Sequence, residues 1–213
     1  MAEPITWITR GGKHIPIFTD APTEDEKKKE WQMRESKKQA SEKILEEKYK
    51  NINPNYKQNA SNLDKEGYNN NCVKCALAFE ANMRGNDVQA NPYEFGKLNE
   101  RDMSKFPEKA FNQKDVWDVG SNNRERVISE INANMEDYGN NSRAIVQVVS
   151  EQTKHTINVI NQGGKILIID AQAGKQGSVA EMLKGLPTKS VKMFRTDDKD
   201  IVQEYSNWAY KRR

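Results

Sequence analysis

Asn69-Asn70-Asn71-Cys72-Val73-Lys74-Cys75-Ala76-Leu77-Ala78-Phe79-Glu80-Ala81-Asn82-Met83-Arg84-Gly85 is the stretch on which the reading of this chain turns. Asn70 or Asn71 can cap a helix, and Cys72, Val73, Ala76, Leu77, Phe79 and Ala81 then supply an apolar face that runs to Met83 before Gly85 stops it. The spacing predicts a largely buried helix with Cys72 in its first turn. There the unpaired amide hydrogens and the helix dipole favour a thiolate, which lowers the thiol pKa and raises the reactive fraction at neutral pH.

Downstream, Ala144 to Val149, His155 to Ile160 and Lys165 to Ile169 are apolar runs of strand length, and Asn161-Gln162-Gly163-Gly164 forms the turn between the second and third. Neighbouring antiparallel strands follow. Alternation points His155, Ile157 and Val159 one way and lets Ile166, Ile168 and Asp170 share that face across the hairpin. The turn thus brings a histidine beside an aspartate. Between the helix and these strands, residues 86–120 are polar and broken by Pro92, Gly96 and Pro107, which predicts short strands and loops with Phe95, Phe106, Phe111 and Trp117 tucked in. Asn122 or Asn123 opens another helix, with Val127, Ile128, Ile131 and Met135 at helical spacing, that ends near Gly139.

The chain has 2 cysteines and 2 histidines, so few groups can act as nucleophile or neutral-pH base. A thiol, an imidazole and a carboxylate in the order Cys72, His155, Asp170 are the parts of a nucleophilic triad. His155 would take the thiol proton and pass it to the leaving group, while Asp170 orients the ring and stabilises the imidazolium. Attack on a carboxamide or peptide carbonyl gives an oxyanion and then a thioester. The backbone N–H of Cys72, helped by Asn71, Asn70 or Gln172, would meet that oxyanion. This chemistry calls for no metal and no cofactor. Cys75 reads as a core neighbour one turn on. A Cys-x-x-Cys redox pair remains an alternative without the tryptophan and proline neighbours of thioredoxin-type motifs, and a zinc site lacks two further ligands, since neither His14 nor His155 has suitable spacing. His14 itself reads as structural or surface-exposed.

The 34 basic and 31 acidic residues leave a formal net charge of +3, too balanced for a nucleic-acid field. Lys27 to Lys29 sit among Glu24, Asp25, Glu26 and Glu30, the texture of a solvated helix face, and Lys211, Arg212 and Arg213 read as a solubilising tail. No stretch is apolar enough to span a bilayer, and the N-terminus lacks a signal core. Residues 1–22, with Ile5, Trp7 and Ile8 before Gly11-Gly12 and Ile15 to Phe18 after it, form an arm or β-hairpin that needs something to lie on. Residues 23–60 comprise a helix from Thr23, with Glu26 in capping-box register, to about Lys50, then an asparagine-rich loop with Pro54. Trp31, Met33, Ile44, Leu45 and Tyr49 are too sparse for a core stripe, so the compact domain is placed at 61–213.

Asn71-Cys72-x-x-Cys75-Ala76-Leu77-Ala78-Phe79-Glu80, Met83-Arg84-Gly85-x-x-Val88, His155-Thr156-Ile157-Asn158-Val159 with Gly163-Gly164, and Ile168-Ile169-Asp170-Ala171-Gln172-x-Gly174 together resemble the papain-fold toxin domains of the glutamine deamidase type. The resemblance covers residues 65–180 and implies an α+β, papain-like cysteine hydrolase fold, with N-terminal helices packed on an antiparallel sheet. It implies Cys72 as nucleophile, His155 as base and Asp170 as orienter, acting on a glutamine side chain of a target protein. Ala171 stands where the family's Asp-Pro-Gln turn has proline, and Glu66 stands six before Cys72 where papain-like peptidases carry an oxyanion glutamine, which weakens a protease reading. The alternatives are a cysteine peptidase or transglutaminase-like acyl transferase on the same triad, and a phage-derived structural or binding module without catalysis. The expected partners are a glutamine-bearing protein and an immunity or delivery protein. The N-terminal arm is similar to segments beside phage-derived modules, which implies a bacterial or phage origin, a cytoplasmic stage before delivery, and export by a specialised route.

Overall fold

Thr23 opens a long helix because it satisfies the helix start reciprocally. Its hydroxyl accepts the Glu26 N–H at 3.2 Å, and the Glu26 carboxylate accepts the Thr23 N–H at 2.8 Å. With no glycine or proline to interrupt it, the helix α1 runs Glu24–Lys50. The computed structural model describes residues 6–10, 13–17, 23–57, 67–94, 106–112, 116–119, 123–149, 154–186 and 189–213, in two units, Met1–Ile44 and Leu45–Arg213. The first unit holds an antiparallel hairpin of β1 (Thr6–Arg10) and β2 (Lys13–Ile17), together with most of α1, on which Trp31 is 64% exposed. Gly11-Gly12, Phe95 and Glu66 lie outside the described residues.

The second unit begins inside α1, at Leu45 rather than at 61. Leu45, Tyr49 and Ile52 are buried in one cluster with Phe79, Ile169 and Ala171, and the Ile52 carbonyl accepts the Ala90 N–H at 2.9 Å. Apolar side chains that look sparse along the whole helix are thus enough for its last turns.

The centre is a six-stranded antiparallel sheet in the order β4-β9-β5-β6-β7-β8. Its strands are β4 (Trp117–Asp118), β5 (Arg143–Val149), β6 (Lys154–Gln162), β7 (Lys165–Asp170), β8 (Lys175–Ser178) and β9 (Ser190–Arg195). The β6–β7 hairpin closes over Gly163 and Gly164, whose φ values of 64° and 83° are those a two-residue primed turn demands. Alternation gives the sheet two buried faces. On one, α4 (Arg124–Tyr138) and α5 (Val179–Leu183) bury Val127, Ile131, Met135 and Leu183 against Ala144, Val146, Ile157, Val159 and Ile168. On the other lies α2 (Cys72–Met83), with Leu77 against Ile145 and Phe194, and Phe79 against Ile160 and Ile169. Full burial of a side chain such as Phe79 contributes about 1.5–3 kcal/mol.

Two expectations change here. Trp117 is not tucked in: it is 52% exposed on the edge strand β4, while Phe106 and Phe111 are buried around the short helix α3 (Phe106–Ala110). The basic terminus is not a free tail. After α6 (Gln203–Ala209), Tyr210–Arg212 form β10 and pair with β3 (Val88–Ala90), because an extended backbone opposite an unpaired strand gains ladder hydrogen bonds whatever its side chains carry. Arg213 adds an ion pair to Asp87 at 3.2 Å. Among the described residues no helix is long and apolar enough to cross a membrane.

Candidate active site

Cys72 is the first residue of α2, and Cys75 N–H makes the first intrahelical bond, to the Asn71 carbonyl at 2.9 Å. The amides before it in the first turn are those a helix leaves without an intrahelical partner. Asn71 occupies the cap position, yet its side chain makes no cap bond. Its amide hydrogens go instead to Asn53 Oδ1 at 3.2 Å and the Asn91 carbonyl at 3.1 Å. Its Oδ1 accepts from Asn53 Nδ2 at 3.2 Å, Gln172 Nε2 at 3.3 Å and the Cys75 thiol at 3.3 Å. Asn71 is therefore a buried hub that ties the helix start to three loops, not a donor aimed at a substrate.

The hairpin delivers the remaining pair. His155 Nε2 lies 2.9 Å from Asp170 Oδ2, with both side chains largely buried. Asp170 Oδ1 accepts the N–H groups of Gln172 and Ala173, each at 3.1 Å, so the turn after β7 fixes the carboxylate without the family's proline. With Nε2 committed to Asp170, Nδ1 is the ring nitrogen left for the Cys72 thiol, which is hydrogen-bonded to His155. The backbone and side chain of Thr156 also reach the Cys72 sulfur.

Burial disfavours the charged form of all three groups, and in each case the neighbours outweigh it. The Cys72 thiol is pulled down by its hydrogen bond to His155, by the imidazolium charge and by Thr156. His155 rises to about 10 through its hydrogen bonds to Asp170 and Cys72 and through their negative charges. Asp170 is held below its ordinary value by His155 and by the Ala173 and Gln172 amides. The three titrate as one unit, and their coupling favours the thiolate beside the imidazolium and the carboxylate. Cys72 as a residue is only partly buried.

Residues 70–175 match the family described as papain fold toxin 1, glutamine deamidase. The compact domain belongs to that family. No curated protein matches the chain. In this papain-fold toxin domain, Cys75 is buried and its thiol pKa lies well above the ordinary value, first through burial and then through the charges of Cys72 and Asp170. Asn70 is exposed, and Gln172 is buried with its N–H on Asp170, its Nε2 on Asn71 and its carbonyl accepting from Asn53 Nδ2. Asn53 and Thr156 are the site residues that sequence reasoning missed. Thr156 follows the histidine directly, and period-2 alternation would have put it on the helix side of the strand; Asn53 had no signal beyond an asparagine-rich loop.

Proposed function

We propose that the domain hydrolyses the side-chain amide of a glutamine in a target protein through the Cys72–His155–Asp170 series. The observation that carries this reading is a thiol with a lowered pKa, bonded to an imidazole that is itself bonded to a carboxylate, inside a glutamine deamidase family fold. The thiolate attacks the glutamine Cδ, forming a C–S bond and an oxyanion that faces the amides at the start of α2. Collapse breaks the C–N bond as His155 gives its proton to the nitrogen, and ammonia leaves. His155 then takes a proton from water, hydroxide adds to the thioester, and the thiolate departs, leaving glutamate and the starting ion pair. Asp170 keeps the ring turned toward the sulfur throughout. The Gln172 side chain, whose Nε2 carries a second hydrogen beyond its bond to Asn71, and the exposed Asn70 are the side-chain donors within this proposal. The unit Met1–Ile44 serves delivery, and an immunity protein would act by covering Cys72.

Mass spectrometry of candidate target proteins after incubation with the domain tests the reading. A glutamine converted to glutamate with the chain intact is the expected result; chain cleavage or cross-linking would move the assignment to a peptidase or acyl transferase.

A further inference from the structure

Strand alternation sends His155 and Thr156 to opposite sides of β6, and α2 lies on the side that carries Thr156, Asn158 and Ile160. The register of helix on strand follows from two contacts. Asn158 Nδ2 donates to the Ala76 carbonyl at 3.2 Å, and Ile160 packs in the cluster that holds Phe79. One helical turn before Ala76 is Cys72, and two residues before Asn158 is Thr156, so the packing that seats the helix also sets Thr156 against the sulfur. Thr156 is 5% exposed, and its backbone and its hydroxyl both act to lower the Cys72 thiol pKa.

We propose that the Thr156 hydroxyl is a working part of the site, a second donor that holds the Cys72 thiolate together with His155. The proposal rests on the deamidase reading above for its chemistry. With the Thr156 hydroxyl and His155 both beside the sulfur, fewer directions remain from which a carbonyl can approach, so Thr156 narrows the attack direction as well as favouring the anion. Of the two Thr156 groups near the sulfur, the hydroxyl is the one that mutation can remove, since the N–H belongs to the backbone.

The test uses the full chain and iodoacetamide as the probe, with the site of alkylation located by mass spectrometry, in the wild type, Thr156→Val, Thr156→Ala and Thr156→Ser. Valine keeps the shape and removes the donor. A hydrogen bond to a charged group is worth enough that Thr156→Val should lower Cys72 alkylation at neutral pH about ten-fold and move its midpoint to higher pH. Serine should stay within about two-fold of wild type, since it keeps the hydroxyl. If circular dichroism shows that valine does not fold, the alanine and serine pair carries the same comparison. An unchanged pH profile in the hydroxyl-free variants, beside an active wild type, overturns the Thr156 role alone. A shifted profile without deamidation by the wild type upholds Thr156 and fails the deamidase reading; an ordinary thiol in the wild type overturns both.

Discussion

The two ends of α2 both set buried polar groups on the same face of β6, and they make opposite use of them. Toward the C-terminal end, Glu80 is fully buried with Arg143 Nε at 3.1 Å, Arg84 Nη2 at 3.6 Å and Asn158 Nδ2 at 3.5 Å. Its charge meets two guanidinium groups and an amide, and the carboxylate itself is fully buried. At the N-terminal end the partners of Cys72 are an imidazole and a hydroxyl, which exchange protons or hydrogen bonds, and Cys72 is only partly buried. Burial of charge does not separate a working site from a structural one. The separation lies in whether the partners can titrate and whether the residue is only partly buried.

Substitutions break the comparison most directly at the reactive end. Cys72→Ala should abolish deamidation while leaving the far-UV circular dichroism unchanged, because a small residue at a partly exposed helix start removes little packing. Asp170→Asn is the next largest: Oδ1 can still accept the Gln172 and Ala173 amides, but an amide donor now faces His155 Nε2 and turns the ring to the wrong tautomer. A loss in kcat of about four orders of magnitude is expected, as for the corresponding change in a serine triad. Retained turnover in steady-state assays would remove Asp170 from the mechanism. At the other end, Glu80→Ala removes the carboxylate that Arg143 and Arg84 share, Arg84 keeping its bond to the Thr196 carbonyl, and urea titration should register a loss of about 3 kcal/mol. Cys72 alkylation in the protein that remains folded should stay at the wild-type rate; a fall would mean that the two ends are coupled.

The pH profile sharpens the contrast further. The ion pair exists above the lowered thiol pKa, which lies below the ordinary 9.0, and persists until the imidazolium loses its proton near 10. The kcat/KM of the wild type should therefore rise on the acid side and fall as pH passes about 10, with the alkaline limb moving down in Asp170→Asn. The same raised pKa makes a contribution to stability that is complete below 6.5, the ordinary histidine value, and is lost as pH climbs through about 10. The smallest effect belongs to the other unit: Trp31→Ser, on an exposed helix face, should change stability by no more than about 0.5 kcal/mol in the same urea titration.

The parts of this fold that are local in sequence were legible. The apolar face of α2, the strands β5 to β7 and the Gly163-Gly164 turn each carry their own periodicity or turn chemistry, and the hairpin alone places His155 beside Asp170. What depends on distant partners was not. β9 enters the sheet between β4 and β5, and β10 pairs with β3, so Ser190–Arg195 and the basic Tyr210–Arg212 become strands through neighbours that no short window contains. Asn71 illustrates the same limit within the site. Its place before Cys72 suggested a cap or an oxyanion donor, and only the approach of Asn53, Asn91 and Gln172 engages its amide otherwise.

The β6–β7 turn also bears on the order in which the molecule acquires its reactivity. His155 and Asp170 are separated by only 15 positions, so closing one tight hairpin makes their bond, an event on the order of microseconds. Cys72 joins them only when α2 docks on the sheet, a contact between remote parts of the chain whose closure costs more entropy than that of the hairpin. The imidazole–carboxylate pair can therefore form before the thiol reaches it, and Cys72 stays an ordinary thiol until α2 has packed on the sheet.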